Sequence, residues 1–227
     1  MAEAPALIID SFLAVDGRVT GLEVHRQRFT ESVRSIFGEA LASEIPAVYA
    51  ALTRDIASGR RFPRISATAA AVNWEDRLAP PQGDVLRVSA TPKRDVRNLP
   101  QHKGPELAWL QEVAADGEVV LLRDQFVAET TTAAIIVLTD DRAIAPNAPS
   151  LPSTTAAWFA ARVHPINRQP ITFAELASAS DDGRAFALNA LHGVRPLVIG
   201  DAEPSEAATA LATRWRSQWF DDAEPMV

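Results

Sequence analysis

Apolar and polar positions change period several times along this chain. Ile8 to Leu13 is a short apolar run, followed by Ala14-Val15-Asp16-Gly17-Arg18-Val19. Asp-Gly between β-formers predicts a two-residue hairpin. From Leu22 the spacing becomes three and four: Leu22, His25, Phe29, Val33 and Ile36 share one helical face, and Gly38 follows as a terminator. A second helix is predicted from Ile45 to Ser58, with Val48, Leu52 and Ile56 on one side. Arg64 to Val72 and Val85 to Ser89 read as strands, separated by the breaker Ala79-Pro80-Pro81-Gln82-Gly83.

Thr91 to Pro105 is polar and punctuated by Pro and Gly, and it is the natural place for a domain boundary. Beyond it, Glu106 to Ala115 predicts a helix and Val119 to Leu122 a strand. Ala133 to Leu138 is continuously apolar, as in a strand buried on both faces. Ala145 to Pro152 reads as an irregular loop, and a helix starts near Ser153-Thr154-Thr155 and runs to about Val163. A short helix at Phe173 to Ala179, strands at Ala185 to Asn189 and Leu197 to Ile199, and a helix over Ser205 to Trp219 complete the pattern. Helices and strands alternate throughout, so the predicted class is α/β or α+β.

Charge and composition remove several functions. The formal net charge is −7, which argues against broad binding to nucleic acid. There is no cysteine, so disulfides, thiolate metal ligands and a cysteine nucleophile are excluded. The four histidines have no metal-ligand spacing. No window approaches the ~20 apolar residues of a membrane helix. The N-terminal stretch lacks the basic start of a secretory signal, and Asp10 interrupts its apolar run. The expected location is the cytoplasm. Of 22 cationic residues only Lys93 and Lys103 are lysines, leaving 20 arginines.

That scarcity singles out Lys103, in His102-Lys103-Gly104-Pro105. The plain reading is a surface lysine in a turn. The chemical one is a Schiff-base lysine, whose amine must be neutral to attack. Glu129 opens Glu129-Thr130-Thr131-Thr132 before the apolar strand; it is either a solvated strand-start carboxylate or the partner of a cation such as a protonated cofactor ring nitrogen. Ser153, Thr154 and Thr155 bring three hydroxyls to a helix N-terminus, as a plain cap or as an anion site. Arg28, in His25-Arg26-Gln27-Arg28, belongs to a solvated face or points at an anion. Asn189-Ala190-Leu191-His192-Gly193 alone is a turn. There is no G-x-S-x-G, Walker-type or G-x-G-x-x-G motif.

Together and in this order, the motifs resemble the class IV aminotransferases, the fold-type IV pyridoxal-phosphate enzymes. His25-x-x-Arg28-Phe29 looks like the family's H-x-x-R-[LF] helix, and His102-Lys103-Gly104-Pro105 like a cofactor-lysine segment. Glu129-Thr130-Thr131-Thr132 looks like the glutamate segment, Leu151-Pro152-Ser153-Thr154-Thr155 like L-P-[GS]-[IV]-T, and Asn189-Ala190-Leu191 like the lyase-type N-[SA]-L. The likeness runs from Ser11 to about Gly200.

The resemblance implies a small N-terminal α/β domain over 1–92, a linker over 93–101 and a barrel-like α/β domain over 102–227 that holds the lysine. It implies pyridoxal 5'-phosphate as cofactor, with Lys103 forming the Schiff base and later moving the α-proton. Glu129 would pair with the pyridine nitrogen. Arg28, Ser153, Thr154 and Thr155 would bind the phosphate, with Asn189 and Ala190 near it. A homodimer, a small amino acid or 2-oxo acid as substrate, and no nucleic-acid or membrane partner are the implied associations. Three functions are expected in turn: transamination between an amino acid and a 2-oxo acid, the aminodeoxychorismate lyase reaction that releases pyruvate and 4-aminobenzoate, and a non-catalytic homologue keeping the fold. The stretch from Lys103 to Glu129 is shorter than is usual in the family, and Ala156 and Ala134 stand where many members have Arg and Asn. Arg97 and His192 are the sequence's guesses for the substrate-carboxylate ligand, surface exposure being the competing reading of each.

Overall fold

The computed structural model describes residues 7–56 and 58–226. Residues 1–6, where the absence of a signal was read, and Ala57, in the tail of the second predicted helix, lie outside the described residues. Two compact units emerge, one of Met1–Pro81, His102–Pro105 and Asp222–Val227, the other of Gln82–Gln101 and Glu106–Asp221.

In the first unit, β1 (Ile8–Ser11) leads through the hairpin of β2 (Ala14–Val15) and β3 (Arg18–Val19) to α1 (Leu22–Phe37). Asp16 and Gly17 both take positive φ, which is the twist a two-residue hairpin needs. After α2 (Glu39–Ala42) and α3 (Ile45–Asp55) come β4 (Arg60–Arg61), β5 (Arg64–Ala67) and β6 (Val72–Glu75). The single strand expected over Arg64 to Val72 is thus two: Thr68 N–H bonds back to Ala71 O, and the chain reverses through small alanines rather than a glycine signal. β5 pairs antiparallel with β1 on one side and β6 on the other. Phe12, Phe29, Val33, Ile45, Leu52 and Ile65 fill the core.

The second unit starts with β7 (Leu86–Val88) and β8 (Lys93–Arg94). The polar stretch read as a linker therefore carries a strand, and its Asp95 and Arg97 are buried. Next come α4 (Leu107–Val113), β9 (Val120–Arg123), β10 (Phe126–Thr130), β11 (Ala134–Leu138) and β12 (Ala143–Pro146). β10 was hidden in the sequence because its hairpin turn uses Asp124 and Gln125 at positive φ, without glycine. β12 replaces the first part of the expected irregular loop. The unit closes with α5 (Thr154–Arg162), β13 (Ile166–Gln169), α6 (Phe173–Asp181), β14 (Ala185–Asn189), β15 (Gly193–Ile199) and α7 (Glu206–Asp221). The strands form a six-stranded mixed sheet, ordered β13-β12-β11-β14-β15-β7, and a three-stranded sheet, β10-β9-β8. Val88, Val120, Val127, Ile135, Leu176 and Leu197, drawn from both sheets and α6, share one apolar core.

Candidate functional site

The two lysines have opposite surroundings. Lys93 is exposed on β8, whereas Lys103 is partly covered within the first unit. Its main chain is docked on β1: Ile9 N–H donates to Lys103 O at 2.7 Å. Gly104 allows this approach, because a Cβ there would lie 2.1 Å from Leu7 O at a φ of +131°. No described residue bonds the Lys103 amine through its side chain. Desolvation lowers its pKa from 10.5 to about 8; Arg28, Arg64 and Arg77 push the same way, and Asp10 opposes them.

Asp10 is the fully buried carboxylate of β1. His25 Nδ1–H donates to its Oδ2 at 2.9 Å, and Arg28 Nη2 donates to its Oδ1 at 2.5 Å. His25 and Arg28 are three apart on α1, so one face of the helix delivers both. Burial alone would raise the Asp10 pKa, but Arg28 and then His25 outweigh it and hold the carboxyl well below its ordinary range. Burial lowers His25, which Asp10 only partly offsets. Just beyond β6 the Arg77 guanidinium reaches Ser11 Oγ and Phe62 O, both neutral acceptors, at 3.2 Å each.

Glu129 belongs to the second unit and is buried in β10 rather than solvated at a strand edge. Its Oε1 accepts from Arg97 Nη2 at 2.7 Å and from Leu151 N–H at 3.3 Å. No described residue donates to its Oε2. Arg97 also bonds Asp95 through Nε and Nη2, and Arg123 Nη2 donates to Asp95 Oδ2 at 3.0 Å. Burial raises the Glu129 pKa, and Arg97 draws it back. Arg97 commits its Nε and Nη2 to two carboxylates, so the sequence's guess of a substrate ligand there meets a guanidinium already paired. The adjoining hydroxyls are also committed: Thr131 and Thr132 donate to the two oxygens of Glu118 at 2.6 and 2.5 Å.

Ser153 caps α5, its Oγ accepting from Ala156 N–H at 3.1 Å. Thr154 and Thr155 are buried in the first turn, where N–H groups lack intrahelical acceptors and the helix dipole favours an anion. Asn189 ends β14; its Oδ1 accepts from Leu191 and His192 N–H at 3.2 and 2.9 Å, closing the turn that presents half-buried Ala190. His192 Nδ1 accepts from Gly83 N–H at 3.1 Å. Burial, with Arg195 and Arg216 nearby, lowers the His192 pKa to about 4.

The sequence profile of amino-transferase class IV matches residues 7–198. The chain belongs to the class IV aminotransferases. Solved structures share this family's fold at low identity. The 4-amino-4-deoxychorismate lyase of Pseudomonas aeruginosa is 16% identical, with a TM-score of 0.75 over 96% of this chain and 91% of that one. A hypothetical aminotransferase of Mycobacterium tuberculosis in its pyridoxal-phosphate-bound form is 17% identical, with a TM-score of 0.72 over 96% and 90%. The fold IV transaminase CpuTA1 of Curtobacterium pusillum is 18% identical, with a TM-score of 0.66 over 93% and 86%. No curated protein matches the chain. In this class IV aminotransferase, the network behind Glu129 was not read from the sequence, though Asp95-x-Arg97 in a polar stretch carried the signal. Asp10 was visible as a charge inside an apolar run.

Proposed function

We propose that this protein is a pyridoxal-phosphate-dependent transaminase that moves an amino group between an amino acid and a 2-oxo acid. The observation that carries the reading is Lys103. It lies in a segment that resembles the family's lysine segment, no described residue bonds its amine through a side chain, and its proton is held weakly enough that the neutral form is populated near neutral pH.

The donors suit the cofactor. Glu129 has one oxygen fixed by Arg97 and Leu151 and the other left to accept from a protonated ring nitrogen. The first turn of α5, with the hydroxyls of Thr154 and Thr155, has the chemistry of a phosphate cradle, and Arg28 carries a donor fork held by Asp10. Bound pyridoxal phosphate supplies an electron sink that acidifies the substrate's α-carbon. Lys103 then takes that proton and returns it one position away, a task its lowered pKa serves. Glu129 would hold the ring nitrogen's proton, and its pairing with Arg97 opposes the rise in its pKa that burial causes.

The lyase reaction is the second reading, favoured by Asn189-Ala190-Leu191. Purified protein mixed with pyridoxal phosphate should develop the absorbance of a lysine Schiff base, lost in Lys103→Ala. Absence of the band removes both enzymatic readings and leaves the non-catalytic homologue. Amino transfer to a 2-oxo acid, with no pyruvate formed from aminodeoxychorismate, separates transaminase from lyase. On this reading the protein works as a homodimer in the cytoplasm. A single-subunit mass in solution would remove the dimer.

A further inference from the structure

Two arginines of the second unit are equally buried and differently treated. Arg97 is 6% exposed and bonds two carboxylates; Arg195 is 5% exposed and bonds none. Arg195 lies on β15, in register with Ala187 of β14, and its side chain lies on the face that carries Leu197 into the core. Among the described residues its one hydrogen bond is from Nη1 to Val85 O at 3.5 Å, and its buried Nε has no acceptor. A guanidinium has five donors, and an unpaired buried cation is strongly disfavoured. Of the nearby carboxylates, Glu118 lends Arg195 its charge without a hydrogen bond, its oxygens accepting from Thr131 and Thr132, and exposed Asp84 pairs with Arg216 Nη1 at 2.8 Å.

The surroundings are arranged for an acceptor. A Cβ at Gly83 would make ordinary van der Waals contact with Arg195 Nη1, at 3.5 Å, so the main chain lies close to the guanidinium there. Gly83 N–H occupies His192 Nδ1, which puts the neutral ring's proton on Nε2 as a further donor. Gln82 Nε2 donates to Leu191 O at 2.6 Å, tying the 82–85 segment to the turn after Asn189.

We propose that Arg195 anchors a carboxylate-binding subsite of the second unit, with His192 and Arg216 at its rim. The ligand is a carboxylate group taken by the Nε and Nη donors of Arg195, as the planar fork accepts it. Resting on the proposed function, that group is a carboxylate of the amino acid or 2-oxo acid substrate.

The test uses the full chain and sodium acetate, with sodium chloride at equal ionic strength as control. Acetate should move the Arg195 Nε–H resonance saturably where chloride does not; the resonance is assigned by its loss in Arg195→Lys. Arg195→Met should keep or raise the melting temperature without acetate and lose the acetate response. An unmoved resonance, or an equal acetate response in Arg195→Met, overturns the subsite. Should Arg195→Met fail to fold, the wild-type resonance still decides. The KM for the 2-oxo acid should rise ~10–100-fold in Arg195→Met, the loss of a charge-assisted pair. Unchanged KM with acetate binding lost overturns the assignment to substrate. Pyridoxal-phosphate absorbance is read separately: acetate binding without it upholds the subsite and removes transamination.

Discussion

Lys103 shows how a side chain becomes reactive at the expense of stability. A pKa moved from 10.5 to about 8 means that the ammonium is disfavoured in the fold by about 3 kcal/mol. The folded pKa lies below the unfolded one, so the penalty is full below pH 8 and fades as pH rises toward 10.5. Lys103→Met should therefore raise the melting temperature of the cofactor-free protein at pH 7, and the gain should shrink by pH 10. Arg77→Met removes one of the cations that oppose the ammonium. The pH midpoint for imine formation with a small aldehyde should then move upward from about 8. A downward or absent shift would show that Arg77 does not act on the amine. Gly104→Ala places a methyl against Leu7 O at a φ that side chains avoid, and should cost about 2 kcal/mol or more in denaturant unfolding. At this scale the sequence was informative about identity and silent about environment. Lys103 stood out because lysines are rare, but its pKa depends on Asp10, Arg28, Arg64 and Arg77, which lie far from it in the chain.

Elements carry the second layer. Arg97, just beyond β8, ties Asp95 to Glu129 on β10. Arg97→Met should leave both carboxylates short of their partner and cost about 3 kcal/mol or more, read as a fall in the urea midpoint. Ser153→Ala should cost about 1 kcal/mol through loss of the α5 cap. Helices with a clear period, such as α1, or a capping side chain, such as α5 with Ser153, were legible because the signal is local. Strands β6, β10, β12 and β13 were not. β10 turns through non-glycine residues, and β8 is too short and polar to show a strand pattern. Pairing partners distant in sequence define such strands.

For the whole molecule, pH reveals the buried ionisable groups together. His192 has a folded pKa of about 4, below its ordinary 6.5, so the unfolded chain binds the proton first as pH falls. Stability should drop between pH 6.5 and 4, a window in which His25, also lowered by burial, acts in the same direction. His192→Gln should flatten that drop in a melting-temperature profile; an unchanged profile would show that His192 titrates normally.

The sequence alone determined the family, the order of its motifs and the two lysines among which a Schiff base must be sought. Those properties reside in residue type and spacing along the chain. Tertiary structure decided which lysine is shielded, that Arg97 is spent on carboxylates, and that Arg195 is buried without one. Burial and charge pairing depend on neighbours brought together by strand register, and no local pattern encodes them.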